Sequence, residues 1–170
     1  TFKVVFTGDT NNWIPQYKNY YKFSSFGLVD SFNTYWTGTA WINEYREQFF
    51  YHSINQDTLD IFYNGNFNSW DPSREIRNSF DSVGNKINTI SLNFVNQNWV
   101  NHTQTFYTYD SLHRVTIEID QHFDSLVWQN DFKDSICYNQ YFDIENYQQY
   151  WNGNSWVCNE FEFTSGGHKM

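Results

Sequence analysis

Five histidines, two cysteines and nineteen carboxylates are the side chains of this 170-residue chain most able to do covalent or metal chemistry. A helical zinc site needs two His four residues apart. His52, His102, His113, His122 and His168 offer no such pair. A calcium loop gathers five or more oxygens from a D-x-D-x-D-G pattern, and none is present. No serine sits in a G-x-S-x-G elbow. Asp81 and Asp110 stand in turn-like stretches, where a carboxylate accepts the following backbone N–H groups. His52 falls at the aspartate place of such a turn and His113 at the glycine place. The expectation is a non-enzymatic chain with no metal and no cofactor.

The remaining chemistry is aromatic stacking. The chain holds 17 Phe, 13 Tyr and 8 Trp, more than half of its hydrophobic residues. "YWTGTAW" (Tyr35 to Trp41) and "YWNGNSW" (Tyr150 to Trp156) say nearly the same thing twice. In a strand, adjacent side chains point to opposite faces. One ring of Tyr35–Trp36, and one of Tyr150–Trp151, must therefore leave the main packed face. An exposed ring beside Asn and Asp can stack on a sugar, so these four are candidate ligand residues.

A repeat carries the rest. Trp13, Trp41, Trp70, Trp99, Trp128 and Trp156 are spaced by 28, 29, 29, 29 and 28 residues. Ten residues past the first five markers stand Phe23, Tyr51, Phe80, Tyr109 and Tyr138, all aromatic. Nine before the six markers stand Val4, Phe32, Ile61, Ile90, Ile119 and Tyr147, all apolar. Five before stand Gly8, Trp36, Gly65, Phe94, Phe123 and Trp151. Fixed periods of this length signal stacked supersecondary units, and these columns are expected to be scaffold.

Within a unit, apolar residues alternate, as in "RVTIEID" (Arg114–Asp120), which is the strand period. "SSFG" (Ser24–Gly27), "TGTA" (Thr37–Ala40), "DSVGN" (Asp81–Asn85) and "NGNS" (Asn152–Ser155) are turn signals. Each unit is thus two strands and two turns. The fold class is all-β: an antiparallel up-and-down meander of about twelve short strands, built from six tandem hairpin repeats. It is an extended or curved sheet or solenoid, with a closed barrel as the alternative. "IFYNGNFNSW" (Ile61–Trp70) departs from the spacing and predicts a longer turn or a bulge. One repeat domain is expected over residues 1–163, followed by a flexible tail at 164–170.

Cys137 lies nine residues past Trp128, and Cys158 two past Trp156. In a regular meander that separates them by about 23 Å along the strands, at about 3.3 Å per residue. Their parities differ, which places them on opposite faces. A bridge needs Cα atoms within about 7 Å, so no Cys137–Cys158 disulfide is expected.

"YTYDSLHRVTIE" (Tyr107–Glu118) and "FDSVGNKINTI" (Phe80–Ile90) resemble tyrosine-aspartate (YD) repeats. "WVNHTQTFYTYDS" (Trp99–Ser111) is similar to longer repeats of secreted, cell-surface proteins of the Bacteroidetes. The resemblance runs from Thr1 to Phe163 and is most faithful around Trp99 and Trp128. Tyr51-His52, Tyr138-Asn139 and Phe23-Ser24 depart from the Tyr-Asp pair. The resemblance implies an extracellular or bacterial cell-surface location and a stalk-like role, and it brings no catalytic residues. More distantly it extends to Rhs-type toxin shells, although six units are too few to enclose another domain.

The net charge of −9 and the pI near 4.8 repel a phosphate backbone, which excludes nucleic acid as a partner. No run of eighteen apolar residues supplies a transmembrane helix. The expected function is structural or adhesive: a rigid spacer, or a fibre unit self-associating or meeting neighbouring repeats through its sheet edges. The alternative is a carbohydrate-binding module that takes surface glycans on its surplus aromatics.

Overall fold

The computed structural model is one antiparallel sheet of twelve strands, hydrogen-bonded in sequence order. The strands are β1 (Phe2–Asp9), β2 (Asn12–Ser24), β3 (Gly27–Trp36), β4 (Trp41–Ser53), β5 (Gln56–Asn66), β6 (Ser69–Phe80), β7 (Lys86–Val95), β8 (Asn98–Tyr109), β9 (Val115–Asp124), β10 (Val127–Tyr138), β11 (Ile144–Trp151) and β12 (Trp156–Thr164). The structure describes the backbone of residues 2–9, 12–53, 56–138 and 144–164, and the side chains of 3–4, 16–53, 56–138 and 146–158. The expected tail beyond 164 and the ring of Trp13 lie outside these. So does the glycine-free first turn of the last unit. Each strand pairs with its sequence neighbours alone, so β1 and β12 are edges and the sheet does not close into a barrel. No helix occurs among the described residues, and hence none long and apolar enough to cross a membrane. By contacts the chain divides into two compact units, Thr1–Arg77 with Leu92–Val100, and Asn78–Ser91 with Asn101–Met170.

The turns follow from the local sequence. Asp81 Oδ1 accepts the N–H groups of Val83 and Asn85 at 3.0 and 2.8 Å. Asp110 Oδ1 accepts those of Leu112 and Arg114 at 2.9 and 3.0 Å. His113 stands where the preceding unit has Gly84, and both are left-handed, with φ of 61° and 96°. An imidazole tolerates that region better than a branched side chain. His52, by contrast, is an exposed residue inside β4 rather than in a turn, because that strand runs on to Ser53. At the other end, Asn96–Gln97 and Ser125–Leu126 are two-residue turns in which every residue has positive φ. That backbone matches the twist of the flanking strands. "IFYNGNFNSW" resolves into a bulge at Phe62/Tyr63 and a short turn at residues 67–68.

Successive units are staggered. In the first compact unit, Tyr45 and Asp71 both face Asn64. Trp41 lies four residues before Tyr45, and Trp70 one before Asp71. In the second, Phe132 and Val157 both face Tyr150, with Trp128 four residues before and Trp156 one before. Glu44 and Asp131 are bulged out of these intervals, so within each compact unit the repeat advances by two ladder steps along the strands, roughly 7 Å.

The stagger corrects the expected cysteine geometry. Cys137 faces Glu145 and Cys158 faces Gln149, an offset of four residues rather than seven. The bulge at Asn130/Phe132, between Trp128 and Cys137, absorbs one residue, so the two sit opposite positions of equal parity instead of on opposite faces. Four residues along and two strands across put the Cα atoms about 16 Å apart, too far for a bridge. Both cysteines are exposed and no disulfide joins them.

Apolar burial is shallow. Among the described residues, Ile42, Phe62 and Leu92 are the buried apolar side chains, and none is fully enclosed. Rings supply the packing instead. The residue five before each marker is its cross-strand partner: Gly8–Trp13, Trp36–Trp41, Gly65–Trp70, Phe123–Trp128 and Trp151–Trp156. Where that partner is aromatic the rings meet, with centroids 5.4 Å apart in Trp36–Trp41, 4.9 Å in Phe94–Trp99, 5.1 Å in Phe123–Trp128 and 5.2 Å in Trp151–Trp156. Edge-to-face pairs at such spacing stabilise by about 0.5–1.5 kcal/mol beyond area burial. With glycine opposite, Trp70 turns its ring edge-on to Phe32 at 5.7 Å, and Phe32 stacks on Tyr20 at 4.4 Å.

The second aromatic column works differently. Tyr51 donates its hydroxyl to the Leu28 carbonyl at 2.8 Å, and Tyr109 donates to that of Lys86 at 2.7 Å. Each phenol thus ties its strand to the start of the one before. Tyr138 lies under the Arg114 guanidinium at 4.2 Å. Phe80 is half-buried, while Phe23 lacks the hydroxyl and is 62% exposed.

Gly65 explains its own place in the pattern. A Cβ there would lie 2.1 Å from the Asn43 carbonyl carbon and oxygen. Both are backbone atoms, which cannot rotate aside. Gly65→Ala is expected to destabilise the fold by about 1–3 kcal/mol, as overpacking does, read as a lower urea midpoint. An unchanged midpoint would show that β4 can retreat freely.

Candidate binding site

The two Tyr-Trp pairs resolve into one packed and one outward ring each. Trp36 and Trp151 are half-buried in their hairpin ring pairs. Tyr35 and Tyr150, on the reverse face, are 38% and 41% exposed. The ring without a place in the core is the tyrosine in both cases. Cross-strand register identifies its companions, since paired residues share a face. Tyr35 lies between Tyr17 on β2 and Ile42 on β4. Tyr150 lies between Phe132 on β10 and Val157 on β12.

Around Tyr35 this face forms a groove of about 490 Å³, lined by Gln16, Tyr17, Tyr35, Thr37 and Glu44, with Trp36 and Gly38 at its end. Tyr17 is 43% exposed. Glu44 is the bulged residue between Asn43 and Tyr45, and the Asn33 amide donates to its Oε2 at 2.6 Å. The next row along the strands is Asn19, Asn33 and Tyr45, and the one after is Tyr21, Ser31 and Glu47. A smaller hollow of about 150 Å³ lies over those rows. Thr37 is occupied with its own turn, exchanging bonds with Ala40 at 3.1 and 3.2 Å. The arrangement offers flat aromatic surface with hydrogen-bonding side chains at its rim.

Tyr35 and Trp36 belong to one compact unit, Tyr150 and Trp151 to the other. Where Gln16 stands beside Tyr17, Asp131 stands beside Phe132, and it is engaged by His122 Nδ1 at 2.6 Å. Among the described residues no three of His, Cys, Asp and Glu gather as a metal set.

The sequence reading missed two features. Gln104 donates its amide to Gln121, which donates to Asn130 at 2.6 Å. This amide ladder crosses β8, β9 and β10 beside Phe123–Trp128, and the abundance of amides was its only trace in the sequence. Tyr17 was missed because it lies outside the repeat columns. Its tie to Tyr35 depends on register, not on spacing within the chain.

No family model matches the chain, and no curated protein does. Solved structures are similar to it in fold. A Bacteroides fragilis protein of unknown function aligns with 71% of this chain and 92% of its own, at 11% identity and a TM-score of 0.58. A DUF3836 family protein from Bacteroides vulgatus aligns with 53% of this chain and 98% of its own, at 14% identity and a TM-score of 0.46. Another from Parabacteroides distasonis aligns with 53% and 87%, at 11% identity and a TM-score of 0.44. The first of these shares the fold; none assigns a ligand.

Charge sets a further property of the faces. Backbone and side-chain bonds from Arg114 hold the Asp110 carboxyl below the usual carboxylate range. On β10, burial and then the neighbouring Asp120 push Asp134 above that range. Burial, then Asp120 and Asp134, do the same to Glu118. A carboxyl held low in the folded state adds stability above its unfolded pKa and loses it as pH falls through the folded value. A carboxyl held high weakens the fold once pH rises past its unfolded pKa. Asp110→Asn is therefore expected to be less stable than the parent at pH 7, with the deficit shrinking below about pH 4. Asp134→Asn should be more stable at pH 7 and lose that advantage over the same acid range. Melting temperatures at pH 3, 5 and 7 check both, and parallel curves for parent and variants would contradict them.

Proposed function

We propose that the chain is a non-enzymatic structural repeat module of an exported bacterial surface protein, acting as a rigid spacer. One observation carries this reading. Every strand bonds only to its sequence neighbours, and the same ring pair closes the hairpins at Trp41, Trp99, Trp128 and Trp156. Such a sheet extends by adding units, each stabilised by its nearest neighbours. The YD-like residues fit the same logic. Asp81 and Asp110 organise turns, and Tyr109 pins the strand beside them. The likeness to a Bacteroides fragilis fold supports a bacterial setting of this kind.

Excision of residues 100–128 joins Trp99 to Gln129 in register and removes one repeat. The shortened chain is expected to keep the far-UV signature of a sheet and to melt cooperatively at a lower temperature. Failure to fold would count against a modular scaffold. For location, Cys137 and Cys158 are exposed and should react with a membrane-impermeant maleimide on intact cells of the native host. Labelling that needs lysis would overturn the surface assignment.

A further inference from the structure

We propose that the groove beside the β3–β4 turn binds a neutral saccharide, with a sugar ring laid against Tyr17 and Tyr35. This goes beyond the scaffold role, which leaves both rings unused. The repeat is satisfied on the opposite face, where Trp36 meets Trp41. Yet Tyr17 and Tyr35 stand side by side across two strands, 43% and 38% exposed. Exposed rings of this size persist at a cost in solubility, and contiguous apolar surface rimmed by polar groups marks binding sites.

The rim selects the ligand. A sugar presents a C–H face to an aromatic ring and hydroxyls around its edge. Gln16 offers an amide with two donors and an acceptor, and Glu44 a carboxylate that only accepts. The Asn33 amide fixes that carboxylate at 2.6 Å, so it is oriented before a ligand arrives. Hydroxyl protons satisfy it, whereas a uronic or sulfated sugar would face it with like charge. The net charge of −9 acts in the same direction. A proline-rich peptide also lies well on tyrosines. Its prolines, however, carry no N–H groups for Glu44, and covering a carboxylate without a donor is costly.

Size agrees. The 490 Å³ groove falls within the roughly 300–1,000 Å³ of small-molecule sites. The Asn19–Asn33 row lies about 7 Å further along the strands, so a second sugar residue has amides beneath it. At the Phe132–Tyr150 couple, Asp131, already held by His122, stands in the place of Gln16, which makes that couple an internal comparison.

The test is titration of the isotopically labelled full chain, followed by amide resonances. The probes are cellohexaose, mannohexaose and chitohexaose, with polygalacturonate as the acidic control and decaproline as the peptide control. At least one neutral hexasaccharide should shift resonances clustered within residues 16–21, 31–38 and 42–45. By calorimetry, Tyr35→Ala and Tyr17→Ala should each weaken that binding about tenfold or more, as loss of a contact hot spot does. Tyr35→Phe should stay within about threefold of the parent, and Tyr150→Ala should bind like the parent. Should an alanine variant unfold by circular dichroism, the parent titration and Tyr35→Phe decide. No neutral saccharide moving those resonances would overturn the proposal. So would polygalacturonate or decaproline moving them instead, or binding unchanged in folded Tyr17→Ala and Tyr35→Ala.

Discussion

A sheet whose strands bond only to their sequence neighbours finds its packing across strands, and that constraint governs this molecule. Aliphatic side chains touch across strands about 4.8 Å apart, but each covers less area than a ring, which buries about 150–250 Å². Indole and phenol rings dominate here. The hairpin ring pair, with centroids near 5 Å in four turns, closes each unit without help from a second layer. Everything else adjusts to it. The turns are short so that the pair meets, glycine stands where a ring or Cβ would collide, and polar side chains fill the places between rings.

Much of this was legible in the sequence because a ring pair across a hairpin has a fixed separation along the chain. The Trp column and the column five before it therefore announced contacts directly, even though their physical meaning emerged only with the register. The tyrosines ten past the markers were visible as a column, but their hydroxyl bonds to Leu28 and Lys86 were not. Such bonds depend on which carbonyl the next strand presents. The features that escaped were those set by register and bulges. Cys137 and Cys158 were placed too far apart and on the wrong faces, since the stagger and one bulged residue leave no trace in composition. Leu126 in a left-handed turn position also defies the usual Asn-Gly signature. The hairpin's closure dictates its backbone more strongly than residue preference does.

The faces divide their labour most clearly in the first compact unit. One carries the ladder of Tyr20, Phe32, Trp36, Trp41 and Trp70. The other mixes exposed Tyr17, Tyr35 and Tyr45 with Asn19, Asn33 and Glu44. The candidate site belongs to this second face, and its outline was only half visible in sequence. "YWTGTAW" exposed the surplus ring, but Tyr17 came to it through pairing with β3.

The stagger gives the surface a direction. Within each compact unit, equivalent side chains of successive repeats are displaced by roughly 7 Å along the strands and by about 9.6 Å across them. The repeated chemistry therefore runs diagonally there, inclined at roughly 55° to the strands. A rod-like partner lying parallel to a strand would read different residues at every step. One lying on the diagonal would meet the same set at successive steps, so within a compact unit the graduations are legible along an oblique line.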